Sequence, residues 1–139
     1  MDAAWPVGGG EMGGRIRGHD WSRTPLGPIA AWPQSYRTAV DLLLAIGFPA
    51  AIAWGRDAIV LYNDAYGAII GNRHPSALGQ PTFAMFPEVQ SSVEPVLDRV
   101  WQGAAETRED QSYPFIHDGV LRDAWFTISY CPLRDETGA

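Results

Sequence analysis

Few residues in this chain have the types and spacing that chemistry requires. Cys131 is the only thiol. It has the chemistry of a redox switch or of a thioester anchor for a chromophore, but alone it makes neither an intrachain disulfide nor a cysteine-based zinc cluster. His19, His74 and His117 are the imidazoles. Glu106, Glu109 and Asp110 crowd three carboxylates together, a grouping that acid–base work would use. None of these groups places a nucleophile, a base and an orienting partner on one known framework. No phosphate loop, nucleotide fingerprint or phosphoacceptor-histidine motif is present. The chain is therefore expected to be non-catalytic, with the acidic cluster a solvated strand edge and Cys131 a buried or sheet-face thiol.

The elements that position these residues must fit a single core, since 139 residues suit one domain. The 46% hydrophobic content is that of a globular chain. No apolar run approaches the roughly 18–20 residues that cross a bilayer; the longest, from Ala39 to Ala53, is broken by Asp41, Gly47 and Pro49. There is no secretory signal pattern at the N-terminus, so a cytoplasmic location is the default. The net charge of −6 argues against nucleic-acid or anionic-membrane partners. Every basic residue is arginine, a bias best read as genomic composition.

Residues 1–33 form a lead segment rich in Gly and Pro, with one short helix from Glu11 to about Gly18 and Trp21, Leu26, Ile29 and Trp32 as anchors for an irregular strap. Pro33 suits the first position of a helix. From Gln34 to Ile46, Tyr36, Ala39, Val40, Leu43 and Ile46 mark one face. Phe48 to Trp54 and Ala58 to Tyr62 read as a hairpin. Asn63-Asp64 is suited to cap a short helix that Gly71 closes. Val93, Val96, Leu97, Val100 and Trp101 form a continuous apolar stripe, which predicts a helix with Trp101 buried against a sheet. Ser91 and Glu94 have capping-box spacing, and Pro95 requires a start near Ser91 or Ser92. Thr107 to Ile116 is extended, Asp118-Gly119 is a hairpin turn signal, and Val120 to Leu133 is the longest strand.

This order of hairpin, short helices, long helix and hairpin resembles a PAS domain. Four pieces narrow the resemblance to the N-terminal sensor modules of bacterial histidine kinases. They are Gly10-Glu11-Met12-Gly13 with His19-Asp20-Trp21-Ser22-Arg23-Thr24-Pro25-Leu26-Gly27-Pro28; Trp32-Pro33-Gln34-Ser35; Leu61-Tyr62-Asn63-Asp64-Ala65-Tyr66; and Ser129-Tyr130-Cys131-Pro132-Leu133-Arg134-Asp135-Glu136-Thr137-Gly138. The fold class expected is α/β (α+β), an antiparallel sheet with short helices and one long helix on one face. An extension over 1–33 precedes a sensor domain over 34–139. The resemblance implies a sensory input module for a kinase or for another output, such as a cyclic-di-nucleotide synthase or a phosphatase.

No cofactor is expected. A flavin photosensor needs a reactive Cys after the first hairpin, and residues 65–81 contain none; haem-binding PAS domains often use a His on the long helix, and residues 91–103 lack one. Tyr62, Phe86, Trp101, Phe126, Ile128 and Tyr130 are the ligand-pocket candidates implied by the fold, for a small molecule with a few polar groups. A filled core is the alternative, and the six tryptophans could supply its volume. The second class of function is association into a homodimer through the outer sheet face (Trp125, Thr127, Ser129, Cys131) and the 34–46 helix, where Leu42 and Leu44 lie off the main stripe. Finally, a PAS sheet has five strands with the last in the middle, yet Arg134 to Gly138 reads as the turn leading into it. The sequence is thus expected to be a piece of a longer protein, incomplete at its C-terminus. Its gap would be filled by another chain, by the N-terminal segment, or by collapse of the strands flanking it.

Overall fold

The computed structural model of the chain describes residues 4–117 and 119–134. Helix α1 (Gly10–Gly18) is followed by single 3-10 turns at Trp21–Arg23 and Ile29–Ala31 and by α2 (Gln34–Ala45). The first hairpin is β1 (Ala51–Trp54) with β2 (Ile59–Tyr62). Then come α3 (Asp64–Ile70), α4 (Thr82–Met85), α5 (Gln90–Trp101) and the long hairpin of β3 (Glu106–His117) and β4 (Val120–Tyr130). The expected mixed architecture of antiparallel strands and helices is present.

The core is built around β2, which is buried along its whole length. Met12 and Ile16 of α1, Val40 and Leu43 of α2, and the anchors Trp21 and Trp32 pack into the same cluster. Helix α1 is fixed by a carboxylate from elsewhere in the chain. Asp64 accepts hydrogen bonds from the Glu11 and Met12 amides at 3.2 and 2.7 Å, serving N–H groups that a helix start leaves without partners. Gly10, at φ +67, permits this approach, because a Cβ there would collide with the Asp64 carboxylate.

Asn63 organises the junction of hairpin and helices. Its Oδ1 accepts from the Tyr66 amide at 3.0 Å, capping α3 as expected, and from the Ala50 amide at 3.2 Å. Its Nδ2 donates to the carbonyls of Ile46 and Phe48 at 3.2 and 2.9 Å. This explains why β1 begins at Ala51 and not at Phe48. The backbone of residues 48 and 50 is engaged by Asn63, Pro49 has no N–H to offer, and the Phe48 side chain is exposed.

Two other boundaries differ from expectation. Strand β4 ends at Tyr130 rather than Leu133, because Pro132 lacks a donor and restricts the residue before it. Helix α5 starts at Gln90, running on from a 3-10 turn at Pro87–Val89, so Ser91 and Glu94 lie inside the helix and make no capping box. Pro95 then falls in the second turn, where it has no N–H to donate to the carbonyl of exposed Ser91. The hairpin turn is present between His117 and Val120, with Gly119 at φ +83. Asp118 lies outside the described residues, as do residues 135–139, where most of the closing polar turn is expected.

The two hairpins form separate two-stranded sheets. One outer edge is covered by backbone and another is held at a single residue. The outer side of β2 is covered by the Gly79–Thr82 segment, through Val60 N–H to the Gln80 carbonyl (3.0 Å) and Gly79 N–H to the Val60 carbonyl (2.9 Å). The outer side of β3 is held at Ile116, whose N–H donates to Glu88 at 3.0 Å and whose carbonyl accepts from Arg73. The gap expected beside β1 and β4 is not closed among the described residues. The N-terminal segment forms α1 and turns rather than a strand, and the two hairpins do not pair with each other.

Candidate functional site

The inner face of the long hairpin is set by a bulge. Arg108 pairs with Ile128, but Gln111 pairs with Phe126, so β3 spends one extra residue there. Asp110 takes a left-handed conformation, at φ +47. The extra residue shifts the alternation: Glu106 and Arg108 share a face with Gln111, Tyr113, Phe115 and His117. On β4 the same face carries Arg122, Ala124, Phe126, Ile128 and Tyr130. The alternation expected for β4 holds, with Phe126, Ile128 and Tyr130 half-buried and Trp125, Thr127 and Ser129 exposed.

Aromatic rings dominate this face. Phe115 lies 5.7 Å from Phe126 and 6.3 Å from Phe86, and Tyr113 lies 6.1 Å from Phe126. Burial and a hydrogen bond with Tyr113 raise the Tyr130 phenol above its ordinary value. At the hairpin tip Phe115 and Phe126 border an open cleft of about 490 Å³, lined also by Ile69, His117, Val120 and Arg122 among others. His117 Nδ1 is 3.1 Å from the Ile69 carbonyl, tying the cleft's mouth to α3.

Behind the cleft, Arg73 sits 4.2 Å from the Phe86 ring centroid and 4.9 Å from that of Phe115. It donates to Glu88 at 2.7 Å and to the Met85 carbonyl at 3.0 Å. Burial opposes charge on Glu88. The Ile116 amide and Arg73 outweigh it and hold the carboxyl below its ordinary range. The pair thus fixes Phe115 and the backbone of β3. Sequence reading missed it because Arg73 and Glu88 are far apart in the chain and neither belongs to a motif.

The six expected pocket residues are dispersed. Phe126 lines the cleft, and Ile128 and Tyr130 continue its face along β4. Phe86 is buried beneath Arg73 and Phe115. Tyr62 is fully buried, and burial pushes its phenol up to about 12. Its hydroxyl meets His74 Nδ1 at 3.0 Å, and His74 Nε2 meets Glu11 at 2.7 Å. Gly67 leaves room for this pair, since a Cβ there would stand 3.2 Å from the imidazole. Trp101 is only half-buried, contrary to expectation. It ends α5, and Arg56 from the β1–β2 turn stacks over its ring at 4.8 Å.

Of the interface candidates, Trp125 is 70% and Leu42 61% exposed. Leu44 is half-buried, with Gly9 beside it. Thr127 accepts from the Asp110 amide at 3.1 Å, and Ser129 lies 3.3 Å from Thr107 Oγ1 and 3.8 Å from exposed Cys131 Sγ. The acidic cluster is split: Glu109 and Asp110 are exposed, whereas Glu106 takes two bonds from Arg99, at 2.7 and 3.1 Å, and one from Arg108 at 2.9 Å.

A mixed fold with two antiparallel hairpins, a long helix between them and an aromatic inner face agrees with comparison to known families, in which the model of the PAS fold matches residues 48–139. The chain belongs to the PAS-fold family. It is, in general terms, a signal-sensing input module. No curated protein matches it. Among the described residues, no helix of this PAS domain is long and apolar enough to cross a membrane, and no group of three or more His, Cys, Asp or Glu residues could hold a metal.

Proposed function

We propose that this PAS domain is the cytoplasmic, non-catalytic input module of a bacterial two-component sensor, feeding a histidine kinase and reading a small molecule on the inner face of the β3–β4 hairpin. The carrying observation is that this face is aromatic yet only half-buried, with a cleft the chain's own side chains leave open. The histidine-kinase context rests on the four ordered motifs from Gly10 to Gly138. The reading needs neither flavin nor haem: the helix after the first hairpin offers no thiol for an adduct, and α5 offers no imidazole.

A second reading, signalling by association without ligand, is favoured by one feature. Trp125, at 70% exposure on the outer face, is a large ring left mostly uncovered among the described residues. Native mass spectrometry of freshly purified protein, with sizing by light scattering, separates the two. A monomer carrying a bound small molecule supports sensing by ligand. A tight, empty dimer supports association and overturns the ligand reading.

A further inference from the structure

The hairpin-tip cleft pairs an apolar floor with an unused cation. Ile69, Phe115 and Phe126 supply the floor. Arg122 is the cross-strand partner of Phe115, so its side chain rises from the same face. Among the described residues, Arg122 forms no hydrogen bond, ion pair or ring contact. Every other arginine is engaged, whether by a carboxylate, a carbonyl, a ring or another partner. In a chain of net charge −6, an unpaired guanidinium beside aromatic rings is an uncommon local complement for an anion.

Asp123 also borders the cleft, but it alternates with Arg122 along β4 and belongs by position to the outer face. His117 stands at the mouth, bonded to the Ile69 carbonyl. One cation matches one negative charge; a dianion would leave charge uncompensated, and a neutral apolar molecule would leave Arg122 unused.

We propose that the cleft takes a small monocarboxylate with an aromatic or branched apolar body, the body against Phe115 and Phe126 and the carboxylate on Arg122. This rests on the small-molecule reading above and names its ligand class. The test uses the full chain and three probes, 3-phenylpropionate, its neutral amide and acetate, measured by ligand-observed NMR and titration calorimetry. Arg122→Gln, at an exposed site, is the paired variant.

The acid is expected to bind about fivefold more tightly than the amide, the scale of one solvent-exposed ion pair. Arg122→Gln should erase that difference, and acetate should not bind. Equal binding of acid and amide, or a preference that survives Arg122→Gln, overturns the carboxylate assignment and leaves the small-molecule reading standing. Acetate binding as tightly as the acid overturns the role of the apolar floor. Failure of both aromatic probes to bind overturns the assignment together with the cleft as the sensing site.

Discussion

Asn63 carries more than the cap its sequence suggests. Beyond capping α3 it bonds the Ala50 amide and the carbonyls of Ile46 and Phe48, and it is 3% exposed. A lost cap alone costs about 1 kcal/mol. Here Asn63→Ala also strands buried backbone groups, so the expected loss is about 3 kcal/mol or more, read as a lower chemical-denaturation midpoint. A loss near 1 kcal/mol would mean the carbonyl bonds contribute nothing. Trp101 moves the other way. Full burial would put Trp101→Ala at about 3–5 kcal/mol, but the half-buried ring under Arg56 lowers the expectation to about 2 kcal/mol. If Arg56→Ala in the Trp101→Ala background costs as much as it does alone, the stacking is energetically empty.

At the scale of elements, α1 is joined to the core by Asp64 at its first amides and by Glu11 through His74 to Tyr62. The Glu11 carboxyl is held below its ordinary value, first by the Arg15 hydrogen bond and then by His74. A carboxyl with a depressed folded-state pKa contributes stability above its unfolded value, and that contribution fades as pH falls through the folded value. The hold on α1 should therefore weaken in the acid range below about pH 4.5, the ordinary carboxyl value. Hydrogen exchange at the Met12 amide should accelerate there in the parent. Glu11→Gln should show fast exchange already at neutral pH with little further change; an unaltered profile would remove Glu11 from the hold.

How far the elements could be read in advance follows from where their information lies. The stripe from Val93 to Val100 and the alternation from Trp125 to Tyr130 are local patterns, and both hold, whereas Trp101 at the helix end is only half-buried. The short helix from Glu11, the anchors Trp21 and Trp32 and the Asn63 cap were also legible, because small residues, indoles and capping types announce themselves. The bulge at Asp110, the Arg73–Glu88 pair and the Asp64 carboxylate at α1 were not, since each depends on partners far away in the chain. The same applies to the cleft: alternation put Phe126 on one face of its strand and the family resemblance turned that face inward, while Arg122 gains meaning only opposite Phe115 and beside Ile69.

For the whole molecule, the covered outer edge of β2 and the β3 edge held at Ile116 contrast with β1 and β4. Because Asn63 N–H bonds the Ala50 carbonyl, the ladder alternation turns the backbone of Ala51 and Ala53 away from β2. Exposed edge groups template strand addition. The isolated chain should therefore self-associate, and Ala53→Pro, which deletes an outward N–H, should suppress that association in sedimentation velocity. Association that persists undiminished in a folded Ala53→Pro chain would exclude this edge as the contact. The attachments of β3 have a mechanical consequence as well. It is gripped at Ile116 by Arg73 and Glu88 and at Glu106 by Arg99, and between these clamps lies the bulge. A beam pinned at both ends and notched between them bends at the notch. That notch lies opposite Phe126 on one surface and is bonded to Thr127, beside Trp125, on the other. Pressure from an occupant of the cleft would surface as tilt of an exposed indole, converting chemistry inside the hairpin into shape outside it.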